Sequence, residues 1–532
     1  MKKILAILCM GVMIFGGLNV VASIVKDSDG NPPNGSDEND NNGESNVLTD
    51  FDPLIDIKVT IDFKALRALD DIDVNSDPDF FLKLFINDEE FTSSVFTDSK
   101  YLYDFWSVTY DVPDDVENVD FMIEVWDSNP QGNTLCDISG KSNSNYQGLS
   151  ANIVYSLKYG LWHEDDYSVA DKSGYGRLNG CDDGSIYENE KDCELWFDIT
   201  FNDYDKDGLP YWSETSVYET NPEVSNLGDD SDNDGVPIEW EHRYGFNPFI
   251  WDDHENLDPD EDSLNNSEEH ITYHWGTDPF RQDLCLEIDW MEDGPNGESQ
   301  AVTYEVIEMM KNPFHRRNIV YHIDIGEEEG GELIPFDDKT QMEEVIQTYN
   351  SYFLHNGEKQ WRRGVFHYGF YVNNSTPMGY AWRGDGDPFM GYGPGTNGFQ
   401  ISARLMEQMA PKTFKSVPYI YASSIMHEMG HNFGIRFGTP FGCDNRRAIY
   451  PWHISYWLFK NYKSLMNYRY TYFILDYSDG SHGIRDFDDW DYIDLTYFEK
   501  KPKKSDKNML FSLRDVLINE RVANLFSRIL NQ

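Results

Sequence analysis

The residues with the clearest chemical potential are two histidines four positions apart, His427 and His431, with Glu428 beside the first. Residues four apart on an α-helix share one face, so both imidazoles can bind one tetrahedral zinc ion. Glu428 would then point toward the open coordination position, where it can accept a proton from a water molecule that zinc makes acidic. Gly434 suits the end of this helix because glycine tolerates a positive φ. The spacing therefore predicts zinc-dependent hydrolysis.

A second motif lies downstream, where residues 464–468 read Ser-Leu-Met-Asn-Tyr. Together with the helix motif it resembles the metzincin metallopeptidases, in which a turn containing methionine lies beneath the zinc site. The resemblance runs from about Leu284 to Leu495 and implies an α+β protease domain. It implies that Met466 is the floor of the metal site and that Tyr468 approaches the zinc or the substrate oxyanion. An ordinary core methionine is the alternative reading of Met466.

A catalytic zinc ion needs a third protein ligand, and here the sequence departs from the metzincin pattern. The family has a further histidine three residues after the glycine, whereas this chain has Phe437. An aspartate replaces that histidine in some metzincins, so the resemblance implies Asp444 as the third zinc ligand. Three alternatives stay open: Cys443 as a thiolate, His453 and His482.

Three acidic segments recur between residues 203 and 280, with aspartates at positions 1, 3 and 5 and a glutamate at position 12. Position 6 is glycine in the first two segments and Ser263 in the third. Alternate carboxylates with a bidentate glutamate supply the oxygen ligands that calcium requires. The array resembles thrombospondin type 3-like repeats, which implies an extracellular spacer stiffened by calcium; a solvated acidic loop without metal is the alternative. The predicted calcium ligands are Asp203, Asp205, Asp207, Glu214, Asp230, Asp232, Asp234, Glu241, Asp258, Asp260, Asp262 and Glu269.

Short stretches of alternating apolar and polar residues, separated by turn-forming residues, predict an antiparallel β-sandwich over residues 51–160. Asp77-Pro78 precedes one predicted strand and Asp127 follows another. With Asp71 and Asp137, these residues resemble a C2-type domain, in which loops at one end of the sandwich bind calcium. Aspartates at such positions also suit ordinary turns.

The remaining chain divides by composition, because 532 residues are too many for one core. Residues 1–23 have the basic start and apolar run of a signal peptide. Residues 24–50 are predicted to be a disordered acidic linker. Residues 161–198 form a connecting segment, in which Cys181 and Cys193 suit a local disulfide. The calcium repeats then occupy 199–282 and the protease domain 283–532, with strands predicted at 284–290, 319–323 and 366–372.

The chain has 95 acidic and 42 basic residues, giving a net charge of −53 at pH 7. Such a surface repels nucleic acid and anionic lipid, so neither is an expected partner, and no membrane segment is predicted beyond the signal. The sequence predicts a secreted or cell-surface zinc endopeptidase that binds Zn²⁺ and Ca²⁺ and cleaves protein or peptide substrates. The alternative is a calcium-dependent surface or adhesion protein with an inactive protease-like domain.

Overall fold

The computed structural model describes residues 51–73, 76–113, 115–141, 149–166, 176–296, 301–326, 330–340, 342–375, 379–382, 398–436 and 439–498. The predicted signal peptide, the predicted linker and Phe437 lie outside these residues. The chain forms two compact units, so the predicted multidomain organisation is confirmed. The first unit is Met1–Asp260 with Asn265–Arg281 and Arg316–Asn318. The second is Glu261–Leu264, Gln282–His315 and Ile319–Gln532.

The first unit contains two antiparallel sheets, which confirms the predicted antiparallel β-structure. One sheet has the order β4-β1-β10-β9 and the other β3-β2-β5-β7-β8, with β6 beside β5. In β5, every second residue from Val119 to Asp127 is buried, as expected when one face of a strand covers a core. The strands are β1 (Lys58–Ala68), β2 (Phe80–Ile86), β3 (Glu89–Thr92), β4 (Tyr101–Asp111), β5 (Asn118–Asp127), β6 (Thr134–Leu135), β7 (Ala151–Ser156), β8 (Leu161–Glu164), β9 (Gly176–Asn179) and β10 (Cys193–Phe201).

The prediction that residues 161–198 merely connect two domains is wrong. This segment supplies β8, β9 and the first part of β10. Strand β10 lies between β1 and β9 and pairs with β1 from Val59–Phe201 to Ala68–Cys193. Its apolar side chains Leu195, Phe197 and Ile199 are buried in the core of the sandwich. The sandwich therefore extends to residue 201, and an inner strand of one sheet comes last in the chain.

A short helix follows each acidic segment. The glutamate of position 12 lies within this helix in the second and third segments, and in the first segment it begins the π-helical turn that continues the helix. The helices are α1 (Tyr211–Ser213), which continues as a π-helical turn over Glu214–Tyr218, α2 (Ile238–Tyr244) and α3 (Asn266–Thr272). Val236, Trp240 and Tyr244 form a small apolar core around α2. A small core is what a segment so rich in carboxylates can supply, so metal binding would add substantially to its stability.

The second unit has a mostly parallel sheet in the order β12-β11-β14-β16-β15, with β13 beside β11. Strand β15 runs antiparallel to β16 and forms one edge. The strands are β11 (Asp283–Met291), β12 (Val320–Asp324), β13 (Leu333–Ile334), β14 (Phe366–Val372), β15 (Gly379–Trp382) and β16 (Gly398–Ser402). The helices are α4 (Tyr304–His315), α5 (Met342–Thr348), α6 (Arg362–Val365), α7 (Ala403–Thr413), α8 (Val417–Asn432) and α9 (Ile454–Leu458).

Helix α8 is the central helix of this unit. It packs against α4, α7, β15 and β16, and its Ile425 and Met429 belong to the same apolar core as Ile288 of β11 and Phe399 of β16. Burial on nearly all sides explains why its sequence is apolar without a strong amphipathic pattern. Within the described residues, no helix is long and apolar enough to cross a membrane.

Candidate functional site

Helix α8 brings His427 and His431 together one turn apart, with ring centroids separated by 5.0 Å. Ser416 caps the start of the helix, since its side chain accepts a hydrogen bond from the Tyr419 N–H. The helix ends after Asn432, where Gly434 adopts a φ of +98°. This left-handed residue redirects the chain immediately after the second histidine.

Both imidazoles are held by backbone carbonyls. The Nδ1 atom of His427 lies 2.9 Å from the Leu465 carbonyl oxygen, and that of His431 lies 2.7 Å from the Ile435 oxygen. Since a carbonyl oxygen only accepts, each ring donates from Nδ1, and its Nε2 atom is directed toward Asp444. A metal-binding histidine is oriented in this way by its second nitrogen.

The carboxylate of Asp444 lies between the two Nε2 atoms. Its Oδ1 is 3.1 Å from His427 Nε2, and its Oδ2 is 3.3 Å from His431 Nε2. One ligand atom from each of the three residues lies within 4.8 Å of the others. Asp444 has a φ of 52°, and its N–H donates to the Met466 carbonyl oxygen at 3.2 Å. The chain thus turns sharply to present this carboxylate to the histidines.

The other candidates for the third ligand have different surroundings. Cys443 is fully buried, and burial raises the pKa of its thiol well above the usual range. The ring of His453 lies beside Tyr450, with centroids 6.1 Å apart. His482 Nδ1 lies 2.9 Å from Asp486 Oδ2. The structure therefore brings Asp444, rather than these alternatives, to the two histidines of α8.

Glu428 is buried beside the first histidine. Burial raises the pKa of its carboxyl to about 8, although the nearby His427 and a hydrogen bond from the Ala381 N–H both lower it. Its Oε2 atom is buried without a hydrogen-bond partner among the described residues. A carboxyl with a pKa near neutrality and an open oxygen is suited to accept and return a proton.

Met466 and Tyr468 lie next to the candidate metal ligands. Met466 is fully buried and packs against Gly430, between the two histidines of α8. The Tyr468 ring stacks against His427 with centroids 5.5 Å apart. Burial raises the pKa of Asp444, but His431 and His427 lower it further, to below its usual value. The Tyr468 hydroxyl adds to this lowering by donating a hydrogen bond to the carboxylate.

Sequence reasoning missed the contribution of β15. The Ala381 N–H bonds Glu428, and Gly379 leaves space that the Glu428 carboxylate occupies. Both residues precede α8 by more than 30 positions, and their types carry no chemical signal. Only the position of the edge strand beside α8 reveals their role.

The three acidic loops share one backbone conformation. Position 4 has a φ of 65° in Lys206, 67° in Asn233 and 63° in Glu261. Position 6 is also left-handed in every loop, with Ser263 at 93° in place of glycine. In each loop the carboxylate of the aspartate at position 5 accepts two backbone hydrogen bonds. One comes from the N–H group two residues later, and the other from an N–H group 18 to 21 residues later. The donors are Leu209 and Asn226 for Asp207, Val236 and Asp252 for Asp234, and Leu264 and Asp283 for Asp262.

The first loop concentrates carboxylates around Glu214. Asp203, Asp205 and Asp207 each place a carboxylate oxygen within 4.8 Å of the other two. Glu214 is 1% exposed, and burial followed by the charges of Asp207 and Asp205 raises its pKa to about 8. Like charges at this separation repel one another, so a cation among them is favourable.

The second loop places Glu241 in the same position. Burial, then the charges of Asp234 and Asp232, raises the pKa of Glu241 to about 9. Both of its carboxylate oxygens are buried without a hydrogen-bond partner among the described residues. Asp230 accepts N–H bonds from positions 4 and 6 and shapes the loop. Sequence reasoning missed His254, whose Nε2 is 3.1 Å from Asp234 Oδ2.

The residues of the third loop are divided between the two units. Asp258, Asp260 and Glu269 belong to the first unit and Asp262 to the second. Glu269 is fully buried on α3, as Glu241 is on α2.

The sandwich loops give their aspartates local partners. Asp127 accepts bonds from the Asp79 N–H at 3.0 Å and from the Asn129 side chain at 2.5 Å. Asp77 lies 3.5 Å from the ammonium group of Lys100. These contacts suit turn-forming aspartates, and calcium binding at this end of the sandwich stays a prediction.

The predicted disulfide between Cys181 and Cys193 is not formed in this structure. The Cys181 thiol instead donates to Asp192 Oδ2 at 3.2 Å. Cys193 hydrogen-bonds Cys136, and both are fully buried. The reason is the sheet: Cys193 begins β10 and faces the core, whereas Cys181 lies on the turn Gly180–Asp183, beyond the end of β9.

No family model matches the chain, and no curated protein matches it. Among solved structures, the complex of human GIVD cytosolic phospholipase A2 with methyl gamma-linolenyl fluorophosphonate matches with 11% identity and a TM-score of 0.18, over 27% of this chain and 17% of that chain. A C2 domain matches with 12% identity and a TM-score of 0.18, over 27% of this chain and 98% of its own. The first C2 domain of plant extended synaptotagmin 1 matches with 10% identity and a TM-score of 0.17, over 27% and 93%. The chain thus spans under a fifth of the phospholipase, and TM-scores this low carry no conclusion about function.

Proposed function

We propose that the second unit is a zinc-dependent endopeptidase. The observation that carries the proposal is the convergence of His427, His431 and Asp444, with ring nitrogens 3.1 and 3.3 Å from the carboxylate oxygens. Two imidazole nitrogens and one carboxylate, with a fourth position left for water, are a donor set that catalytic zinc uses. The carbonyls of Leu465 and Ile435 already fix both rings with Nε2 inward, so little reorganisation would accompany binding.

When bound, zinc supplies Lewis-acid chemistry that acidifies water and polarises a peptide carbonyl. Glu428 would take the proton from the attacking water and return it to the leaving amine, since its buried Oε2 atom has no hydrogen-bond partner among the described residues. The Ala381 N–H orients this carboxylate. The Tyr468 hydroxyl bonds Asp444, and its ring stacks on His427, so this hydroxyl is the group that would stabilise a developing oxyanion.

The acidic loops support calcium as a second cofactor. The strongest support is Glu241. Its carboxylate is fully buried beside Asp234, and neither of its oxygens has a hydrogen-bond partner in the described part of the chain, which is costly unless a cation neutralises it. The matching left-handed positions in the first loop support the same role there. A calcium-dependent surface protein with an inactive head is the alternative. The converged donor set favours the enzyme.

The test is to measure zinc content and casein hydrolysis for the purified protein and three variants. We expect Glu428→Gln to lose at least about 100-fold in hydrolysis with its zinc content unchanged, because Glu428 is a base and not a ligand. We expect Asp444→Ala to lose both zinc and hydrolysis. His482→Ala is the control, because His482 is one of the alternative third ligands. This variant should keep its zinc content and its hydrolytic activity.

Two results would count against the proposal. Zinc binding without hydrolysis of any protein substrate would support the inactive-head alternative. Unchanged zinc in Asp444→Ala would remove Asp444 from the donor set and place the third ligand elsewhere.

A further inference from the structure

A patch of exposed aromatic and basic side chains lies next to Asp444 in the chain. It covers the 3₁₀ turn Arg446–Ile449 and helix α9. Trp452 is 75% exposed and Trp457 60% exposed, which is unusual for such large apolar side chains. We call this patch the basic aromatic surface and define it as Arg446, Arg447, Ile449, Tyr450, Trp452 and Trp457.

Contacts join the three aromatic members of the basic aromatic surface. The Tyr450 and Trp452 rings stack with centroids 5.0 Å apart and planes at 28°. The indole N–H of Trp457 donates to the Pro451 carbonyl oxygen at 2.9 Å, so this ring lies beside the segment that carries the other two. Exposed apolar surface that is gathered rather than scattered commonly marks a binding site.

The charge of this segment is opposite to that of the chain. Residues 445–470 contain Arg446, Arg447, Lys460, Lys463 and Arg469 and no acidic residue, whereas the chain carries a net charge of −53. The first four of these basic residues are exposed. A local positive field within a negative molecule favours an acidic partner for this segment.

Both ends of the surface are fastened to the candidate metal site. The Arg446 N–H donates to the Asp444 carbonyl oxygen at 3.0 Å, at the start of the turn. At the other end, the Arg469 guanidinium lies 3.7 Å from the Tyr456 ring centroid and donates to the Tyr456 carbonyl oxygen at 2.9 Å. Arg469 directly follows Tyr468, which stacks on His427. The segment that carries this surface is therefore joined at both ends to residues next to the candidate metal ligands.

We propose that the basic aromatic surface docks the substrate, and that the substrate segment it takes combines acidic with aromatic or aliphatic side chains. The proposal rests on the endopeptidase function proposed above. Arginine binds carboxylates through charge-assisted hydrogen bonds, and tryptophan and tyrosine supply rigid apolar contact area. An anionic membrane is the competing partner, but the net charge of −53 opposes its approach.

The experiment measures binding and cleavage separately. Fluorescence anisotropy gives the Kd of a labelled peptide rich in Glu and Phe, and of its Lys-and-Phe counterpart, for protein carrying Glu428→Gln, which prevents turnover. Cleavage of both peptides is then followed in protein with Glu428 intact. Arg446→Glu and Trp452→Ala are the test variants. Lys412→Glu and Phe414→Ala, which change an exposed lysine and an exposed aromatic residue near the end of α7, are the matched controls.

We expect Arg446→Glu and Trp452→Ala each to weaken binding of the acidic peptide about tenfold. Arg446→Glu should also reduce the preference for the acidic over the basic peptide, and the two controls should match the parent protein. Equal Kd values for test and control variants would overturn the proposal. So would test variants that lose binding to phosphatidylserine vesicles while peptide binding is unchanged, because the surface would then face lipid.

The two proposals fail in different ways. If no peptide is cleaved but the test variants lose peptide binding, the docking surface stands and the endopeptidase function falls. If peptides are cleaved with the same Kd and the same preference in every variant, the endopeptidase function stands and the docking surface falls.

Discussion

Met466 packs directly against Gly430, so closely that a side-chain carbon on Gly430 would collide with the methionine sulfur. Gly430 lies on α8 between the two metal-directed histidines, where glycine costs helix stability relative to alanine. The contact explains that cost, because only glycine lets the turn at residues 464–468 approach the helix. The same turn supplies the Leu465 carbonyl that orients His427.

We therefore expect Gly430→Ala to destabilise the second unit by about 1–3 kcal/mol through overpacking, and to lower zinc affinity. Thermal unfolding with and without zinc measures both effects. Met466→Ala removes one side of the collision, so the double variant should lose less stability than the sum of the two single changes; the Tyr477 ring, which is also close, limits this coupling. A Gly430→Ala protein as stable as the parent would contradict this packing.

Most of the features that the sequence predicts come from local patterns of residues. The pairing of His427 with His431 follows from helix geometry, and the strand predicted at 366–372 coincides with β14. The acidic repeat is visible because its positions recur in register. These signals need no knowledge of distant contacts.

Distant contacts account for what the sequence did not reveal. The role of residues 161–198 depends on the pairing of β10 with β1, which joins residues more than 120 positions apart. The predicted disulfide between Cys181 and Cys193 was wrong for the same reason. Cys136 contacts Cys193 only because the strands of the sheets bring these distant residues together. The Ala381 bond to Glu428 depends on which strand forms the edge of the sheet beside α8.

The third acidic loop allows a test of backbone strain. Ser263 adopts a φ of 93°, close to the 86° of Gly208 and the 100° of Gly235 in the other loops. A residue with a Cβ pays about 1–2 kcal/mol in this region, so Ser263→Gly should raise thermal stability in millimolar calcium. The reciprocal change Gly235→Ser should lower it by a similar amount. Opposite signs for the two changes, measured by calorimetry, are the expected result; a loss of stability in Ser263→Gly would show that its hydroxyl matters more than its φ.

Oxidation should join Cys136 to Cys193 rather than Cys181 to Cys193. The first two thiols are in contact and buried, and burial, followed by this contact, raises the pKa of Cys193 well above its usual range. A slow reaction with a mild thiol oxidant is therefore expected in the folded protein, because the thiolate is the reactive form. Peptide mapping by mass spectrometry identifies the bridge. Cys181→Ser should leave its yield unchanged, whereas recovery of a Cys181–Cys193 peptide would contradict the geometry.

His367 should make the second unit sensitive to acid. It is fully buried on β14, and burial lowers its pKa from 6.5 to about 3. Between these values the unfolded chain binds a proton that the folded protein does not, so stability is complete above pH 6.5 and falls by about 1.4 kcal/mol per pH unit toward pH 3. His367→Gln cannot titrate there, so its stability should fall less steeply with decreasing pH, whatever its stability at pH 7. Denaturant unfolding of both proteins between pH 7 and pH 4, with a chelator present so that metal loss does not contribute, gives the two slopes. Parallel slopes would mean that His367 is protonated as readily in the folded protein as in the unfolded chain, and that its burial does not govern the acid sensitivity of this unit.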